Sequence, residues 1–145
     1  MSASVTIKAF SLQKFMNKKT LFSIIETPRH PRLENLYARC AIEEIKLPSV
    51  RKANSELKKT IPDFVVAEFI YAYGSNYSGV HISNLDVFLV TLLKYHARSR
   101  VIIIVDKTEH QYVDKLNDIY PVHAVIQHPV RETQIEEILM QENAS

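Results

Sequence analysis

Five short apolar runs are spread along the chain at lengths typical of β-strands. The clearest is RVIIIVD, residues 100–106, which is apolar on both faces, as a central strand of a parallel sheet must be. The run TLFSIIE, residues 20–26, has the same character. The complete set of predicted strands is 20–26, 41–47, 63–69, 100–106 and 122–127.

Each run is followed by apolar residues at helical spacing. In residues 32–40, Leu33, Leu36, Tyr37 and Cys40 stand at i, i+3, i+4 and i+7, which predicts one inward stripe. Similar patterns predict helices over 50–59, 85–96, 109–120 and 131–141. Ser49 precedes the second of these five helices and is its candidate N-cap.

Strand and helix in regular alternation predict an α/β fold. Short connections imply right-handed crossovers and a doubly wound, five-stranded parallel sheet that helices cover on both faces, a three-layer sandwich. In such folds, function lies at the carboxyl ends of the strands. Residues 1–19 fall outside the pattern and are predicted to form an N-terminal extension, an added strand or arm, on a domain of residues 20–145.

Composition excludes several classes of protein. The chain is 46% hydrophobic and 23% charged, as globular domains are, and no apolar segment has the length of a membrane span. We expect a cytoplasmic protein, because the N-terminus lacks a signal-peptide pattern and a single cysteine forms no internal disulfide. Glycine-rich nucleotide loops are excluded, since Gly74 and Gly79 are the two glycines present. Neither enzyme activity nor a cofactor is expected.

Charge is distributed unevenly along the chain. Residues 1–60 carry twelve Lys or Arg against five Asp or Glu, a net +7, whereas residues 61–145 carry six against eleven, a net −5. This asymmetry suits a basic face that meets an acidic partner or nucleic acid, or else solvated helix faces that are merely uneven. Nucleic-acid binding is not expected, because no recognized binding motif accompanies the basic residues.

Two of the predicted strands resemble those of a known family. PDFVVAE (62–68) and HAVIQHPV (123–130) are similar to the third and fifth strands of the receiver domains of two-component response regulators. The resemblance extends over residues 20–141. It implies a receiver-like, flavodoxin-like sheet. Glu68 would occupy the position of the phospho-accepting aspartate, and Pro129 the position of the proline that follows the lysine at the end of the family's fifth strand.

The resemblance also shows departures at the catalytic positions. Thr27 replaces one carboxylate of the family's Mg²⁺-binding pair, and Val105 replaces a hydroxyl residue. His128 stands for the lysine and Val125 for the aromatic switch residue. The pocket equivalents implied are Glu26, Thr27, Glu68, Val105, Asp106, His128 and Pro129.

These departures predict a degenerate receiver with no catalytic residues. Glutamate is one methylene longer than aspartate, and a nucleophile misplaced by about 1 Å can lose ~10²-fold in rate. Three interpretations of Glu68 are open: a pair with His128, a solvated carboxylate at the sheet's edge, or a residual metal site with Glu26 and Asp106.

We therefore expect a stand-alone, unphosphorylated interaction module in signal transduction. Its partners would be proteins, and residues 109–141, the family's usual partner surface, would be the first candidate for a homodimer contact. The alternative is a flavodoxin-like domain that binds a small molecule or metal through the long loop 71–81. The binding residues of that loop would be Tyr71, Tyr73, Ser75, Asn76 and Tyr77, unless they simply cover the edge of the sheet.

Overall fold

Strands and helical segments alternate throughout the residues that the computed structural model describes, 18–72 and 82–144. The elements in chain order are β1 (Lys19–Ile24), α1 (Glu34–Arg39), β2 (Ile42–Leu47), α2 (Val50–Glu56), β3 (Phe64–Glu68), α3 (Asp86–Lys94), β4 (Arg100–Val105), a 3₁₀ helix (Lys107–Asp118), β5 (Val122–Gln127) and α4 (Glu132–Ala144). The predicted extension 1–19 lies outside the described residues up to position 17, and Lys19 already belongs to β1.

All five strands are parallel and lie in the order β2-β1-β3-β4-β5. The order reverses between β1 and β3, because the chain moves outward to β2 and then returns past β1. At such a switch point the loops that follow the two neighbouring strands diverge and leave a crevice. The predicted doubly wound α/β fold is confirmed, and its switch point lies where β1 and β3 end.

The sheet has a hydrophobic core on each face. In β4, Val101, Ile103 and Val105 pack with α2, α3 and the 3₁₀ helix, whereas Ile102 and Ile104 pack with α1 and α4. All five of these residues are buried. Burial on both faces explains why the strand is a continuous apolar run rather than an alternating one.

The segment predicted as an α-helix over 109–120 is instead a 3₁₀ helix, Lys107–Asp118. Its buried residues Val113 and Leu116 and the partly buried Ile119 are three positions apart, so they share one face of a helix with three residues per turn. Polar side chains also bond to the local backbone: the Asn117 amide donates to the Asp114 carbonyl at 3.2 Å. Such bonds compete with α-helical hydrogen bonding.

Two helix ends, the start of α2 and the end of α1, bear on the sequence predictions. Ser49 caps α2 as predicted, because its hydroxyl accepts a hydrogen bond from the Lys52 amide at 3.1 Å. Cys40, predicted to lie on the inward stripe of the first helix, does pack against the core with Leu36 and Tyr37, and it is partly buried there. The helix ends at Arg39, and Cys40 is its half-buried C-cap, since Ala41 turns the chain with a φ of 57°.

Among the described helices, none combines the length and apolar character that crossing a membrane requires.

Candidate functional site

Glu68 ends β3 with a buried side chain, 3% exposed, at the switch point of the sheet. Its Oε1 atom accepts hydrogen bonds from the backbone amides of Glu26 at 2.6 Å and Thr27 at 2.9 Å. Its Oε2 atom accepts a hydrogen bond from the Thr27 hydroxyl. The turn after β1 therefore wraps around the Glu68 carboxylate, and both oxygens of that carboxylate have donors from within the chain.

His128 follows β5 and faces the same carboxylate. Its backbone amide donates to the Val105 carbonyl at 2.9 Å, which fixes the start of the β5–α4 turn. The His128 Nε2 atom lies 3.8 Å from Glu68 Oε2, too far for a hydrogen bond but close enough for electrostatic attraction. Its Nδ1 atom is buried without a hydrogen-bond partner among the described residues. The peptide bond from His128 to Pro129 is cis.

His30, in the turn between β1 and α1, is a second imidazole at this site. Both of its ring nitrogens are buried with no hydrogen-bond partner in the described part of the chain. Burial lowers the pKa of His30, and this outweighs the attraction of the Glu68 charge, which raises it. His30 is therefore held toward its neutral form beside the Glu68 carboxylate.

Arg29 and Asp106 form an ion pair above the buried carboxylate. The two guanidinium nitrogens donate to the two carboxylate oxygens at 2.7 and 3.2 Å, in the bidentate geometry that arginine favours. Hydrogen bonding raises the pKa of Arg29 and lowers the pKa of Asp106. Because both side chains are about half exposed, the pair joins the β1–α1 turn to the end of β4 at the surface of the site.

The structure distinguishes among the three interpretations of Glu68. A solvated carboxylate was wrong, since the side chain is buried. The pair with His128 exists as a 3.8 Å approach, but Thr27 and two backbone amides are the closer partners. Glu26, Glu68 and Asp106 do not assemble into a metal site, and the described residues contain no group of three or more His, Cys, Asp or Glu suited to one.

Val105 and Pro129 differ in their surroundings from the charged members of the site. The Val105 side chain is fully buried and packs in the core on the α2–α3 face. Pro129 is exposed at the rim. Among the predicted pocket equivalents, Glu26, Thr27, Glu68 and His128 come together directly, Asp106 joins them through Arg29, and Val105 contributes its backbone carbonyl.

Tyr71, at the start of the loop 71–81, is anchored to the 3₁₀ helix. Tyr71 stacks on Tyr112 of the 3₁₀ helix, with ring centres 3.8 Å apart and planes inclined by 13°. Its amide donates to the Glu109 carboxylate at 3.0 Å, and the Lys115 ammonium lies 5.6 Å from its ring centre. Tyr73, Ser75, Asn76 and Tyr77, the other predicted binding residues of this loop, lie outside the described residues.

Asn84 closes the base of the same loop. Its amide nitrogen donates to the Glu68 carbonyl at 3.0 Å, and its amide oxygen accepts from the Ile70 amide at 2.8 Å. Next to it, the Asp86 carboxylate accepts hydrogen bonds from the amides of Ile82 and Ser83 at 2.6 and 2.9 Å. The returning chain is thus tied to the end of β3 and to the start of α3.

Sequence reasoning missed Arg29, His30 and Asn84. Arg29 and His30 stand in the turn ETPRHP, where a cation and an imidazole close to a strand end were the available signal. Asn84 directly precedes the apolar pattern of the helix predicted over 85–96, and its contact with the β3 terminus depends on the path of the loop.

Comparison with known proteins reveals similarity in structure alone. No protein-family model matches the chain, and no curated protein sequence matches it. Solved structures of response regulators do match. A response regulator from Burkholderia multivorans has a TM-score of 0.63 at 12% identity, over 86% of this chain and 94% of that one.

Two further structures support the same conclusion. A DNA-binding response regulator of the LuxR family from Staphylococcus aureus matches with a TM-score of 0.63 at 16% identity, over 86% of this chain and 98% of that one. A Francisella response regulator receiver domain matches with a TM-score of 0.60 at 14% identity, over 88% and 99% of the two chains. This chain has the fold of response regulator receiver domains.

Proposed function

We propose that this receiver-fold chain is a signal-transduction domain that acts by binding other proteins and is not switched by phosphorylation. In this role it performs no catalysis and requires no cofactor. The receiver fold of its structural neighbours supports the signalling part of the proposal. The chemistry at Glu68 supports the loss of phosphorylation.

The observation that carries the proposal is the engagement of the Glu68 carboxylate. A carboxylate that attacks a phosphodonor needs an oxygen lone pair in line with the phosphorus atom, with Mg²⁺ to neutralize the developing charge. Both oxygens of Glu68 accept hydrogen bonds from the β1–α1 turn, and the side chain is buried. An attack from this carboxylate would first require those hydrogen bonds to be broken.

The surrounding charges favour the same conclusion. Mg²⁺ binds hard, negatively charged oxygen ligands. Thr27 offers a neutral hydroxyl that already donates to Glu68, and the Asp106 carboxylate is paired with Arg29. The Asp106 carboxylate is thus neutralized by a group of the chain itself.

In this proposal, contacts within the chain, rather than a bound phosphoryl group, hold the loops at the strand ends. Glu68 fixes the turn after β1, the Arg29–Asp106 pair connects that turn to β4, and Asn84 fixes the loop after β3. The loops would then keep one arrangement in the absence of phosphate. Partner binding would be constitutive, and its regulation would depend on the abundance of the domain or its partner.

A phosphorylation assay tests this proposal directly. The protein is incubated with an acyl phosphate and Mg²⁺, and its intact mass is measured by mass spectrometry. We expect no added phosphoryl group on the natural chain under conditions that label an authentic receiver domain completely. A stoichiometric, hydroxylamine-labile adduct that disappears in the Glu68→Gln variant would overturn the proposal.

Residues 109–141 are the surface on which we propose that the domain pairs with itself. The 3₁₀ helix and β5 enclose a groove of about 330 Å³ whose lining includes His110, Val113 and Val125. Val125 lies on the edge strand with 37% of its surface exposed. Edge strands with exposed apolar residues are natural pairing surfaces.

Sedimentation measured over a range of concentrations tests the pairing. We expect a reversible dimer that Val125→Glu weakens, while Val87→Glu, on the exposed face of α3, leaves it intact. Monomeric behaviour of the natural chain at high concentration would refute the dimer without affecting the phosphorylation result.

A further inference from the structure

A second cavity lies at the amino ends of β4 and β5, at the opposite end of these strands from Glu68. Its volume is about 540 Å³. The walls are held by Tyr120, whose hydroxyl donates to the carbonyls of Ala97 and Ser99 at 2.9 and 3.0 Å. One wall continues directly into the end of α3 through Leu93. The cavity is therefore supported by a well-bonded turn between α3 and β4.

The exposed face of α3 is apolar and leads to this cavity. Phe88, Leu89 and Leu92 are buried in the core, as an amphipathic helix requires. Yet Val87, Val90 and Leu93 are 59%, 38% and 53% exposed. Their spacing of three residues places them along the outer side of the helix. A surface helix normally presents polar residues there, and contiguous exposed apolar residues are typical of an interaction site.

Positive charge borders this apolar surface. Lys94, Arg98 and Arg100 fall within seven residues, and the sequence has no acidic residue between Asp86 and Asp106. Arg98, Arg100 and His123 line the cavity, and none of the described residues that line it is acidic. The α3 stripe, the cavity and these basic residues together are called the α3–β4 surface below.

The combination of apolar and basic groups indicates the kind of partner. A nucleic-acid backbone would use the arginines but would leave Val87, Val90 and Leu93 uncovered. A wholly apolar helix would cover the valines and leucine but bring no charge to the arginines. An amphipathic helix satisfies both, with apolar residues at i, i+3, i+4 and i+7 against the stripe and cavity and carboxylates beside the cations.

We propose that the α3–β4 surface is a docking site for an acidic amphipathic helix of a partner protein. The apolar residues of that helix would cover the outer side of α3 and enter the cavity at Leu93. Its acidic residues would pair with Lys94 and Arg98. This site lies at the opposite end of the strands from the Glu68 pocket.

A designed peptide is a suitable probe. It carries Leu at i, i+3, i+4 and i+7 and Glu at the flanking positions, and a companion peptide carries Gln in place of each Glu. Binding to the full chain is measured by fluorescence anisotropy and mapped by amide chemical shifts. We expect shifts concentrated in residues 87–100 and 120–123, and weakening by about tenfold or more for the Gln peptide.

Matched variants distinguish binding at the α3–β4 surface from nonspecific binding of the peptide. We expect Arg98→Glu and Leu93→Ser each to weaken binding of the Glu peptide by about tenfold or more, a loss that only a minority of interface residues cause. The controls make equivalent changes away from this surface. Lys107→Glu reverses an exposed positive charge at the other end of β4. Met140→Ser removes an apolar side chain on α4 from a residue that is 56% exposed. Both controls should bind within about twofold of the natural chain, a change too small for a hot spot. Thermal melts verify that all four variants are folded.

Several results would overturn the proposal. Failure of the Glu peptide to bind at millimolar concentration would do so, as would equal weakening by the controls. A double-stranded DNA fragment that binds more tightly than the peptide and displaces it would assign the surface to nucleic acid instead. Self-association that Leu93→Ser abolishes would assign it to a second copy of this chain.

Discussion

Shortening the Glu68 side chain by one methylene group should destabilize the fold, although aspartate is the residue that the resemblance to receiver domains implies at this position. Glu68→Asp withdraws the carboxylate by about 1 Å, since one methylene group shortens a zigzag side chain by less than the full length of a C–C bond. The Oε1 atom now lies 2.6 and 2.9 Å from the amides of Glu26 and Thr27. After the change these separations would approach 4 Å, beyond hydrogen-bonding distance.

The expected loss follows from the number of hydrogen bonds. Three donors reach the Glu68 carboxylate, and a hydrogen bond to a charged group contributes about 1.5–3 kcal/mol when its partner is buried. Glu26 is exposed and Thr27 half-buried, so water can replace part of what is lost. Counting the two backbone-amide bonds as lost, each at the low end of that range, we expect Glu68→Asp to lower the free energy of unfolding by about 3 kcal/mol.

Glu68→Gln separates the reach of the side chain from its charge. The amide oxygen still reaches the two backbone donors, and the amide nitrogen can donate to the Thr27 hydroxyl. What is lost is the charge assistance of these bonds, about 1 to 1.5 kcal/mol. Glu26→Gln, the same chemical change on an exposed neighbour, should stay within about 0.5 kcal/mol of the natural chain.

Urea unfolding followed by far-UV circular dichroism measures these differences, since the chain has no tryptophan for fluorescence. Equal m-values for all variants would show that the midpoints report stability alone. The reasoning fails if Glu68→Asp is as stable as Glu26→Gln. It fails too if Glu68→Gln is the more damaging change, because charge rather than reach would then be the deciding factor.

Three further predictions concern the backbone and the titrating groups. His96→Gly should raise the free energy of unfolding by up to about 1 kcal/mol in a chemical melt, because His96 has a φ of 54°, a left-handed conformation that costs residues other than glycine energy; a loss of stability would contradict this. The lowered pKa of His30 means that the unfolded chain binds the additional proton, so its contribution to stability is present above about pH 6.5 and is lost on acidification. His30→Gln should flatten the dependence of stability on pH below about 6.5, and an unchanged slope would exclude His30 as its source. Arg29→Gln should raise the pKa of Asp106 toward that of an ordinary aspartate in a carbon-detected NMR titration, whereas an unmoved pKa would show that the ion pair does not form in solution.

The strands were predictable because their signal is local. A parallel strand buried on both faces must be a continuous apolar run, and RVIIIVD could hardly be anything else. The predicted 100–106 became Arg100–Val105, and 122–127 became Val122–Gln127. The Ser49 cap was predictable for the same reason, since its hydroxyl and the amide that it binds are three residues apart.

The 3₁₀ helix was beyond the reach of the same reasoning. Val113, Leu116 and Ile119 fit an α-helical stripe almost as well as a 3₁₀ face, because periods of 3.6 and 3.0 residues differ little over two turns. Packing against β4 and β5 and the polar contacts of Asn117 favour the tighter helix. The local sequence therefore favours an α-helix and a 3₁₀ helix almost equally.

The sequence by itself determined the order of elements, their faces and therefore the edge of the sheet where Glu68, Thr27 and His128 meet, because parallel strands bring their carboxyl ends to one side. The tertiary structure alone decided which atoms bind there. Thr27 and Glu68 are 41 residues apart, and Arg29 and Asp106 are 77 apart. The periodicity of the sequence indicates which face of an element a residue occupies. A hydrogen bond between two loops requires their paths to match within a fraction of an ångström. Those paths are set by the packing of the whole sheet.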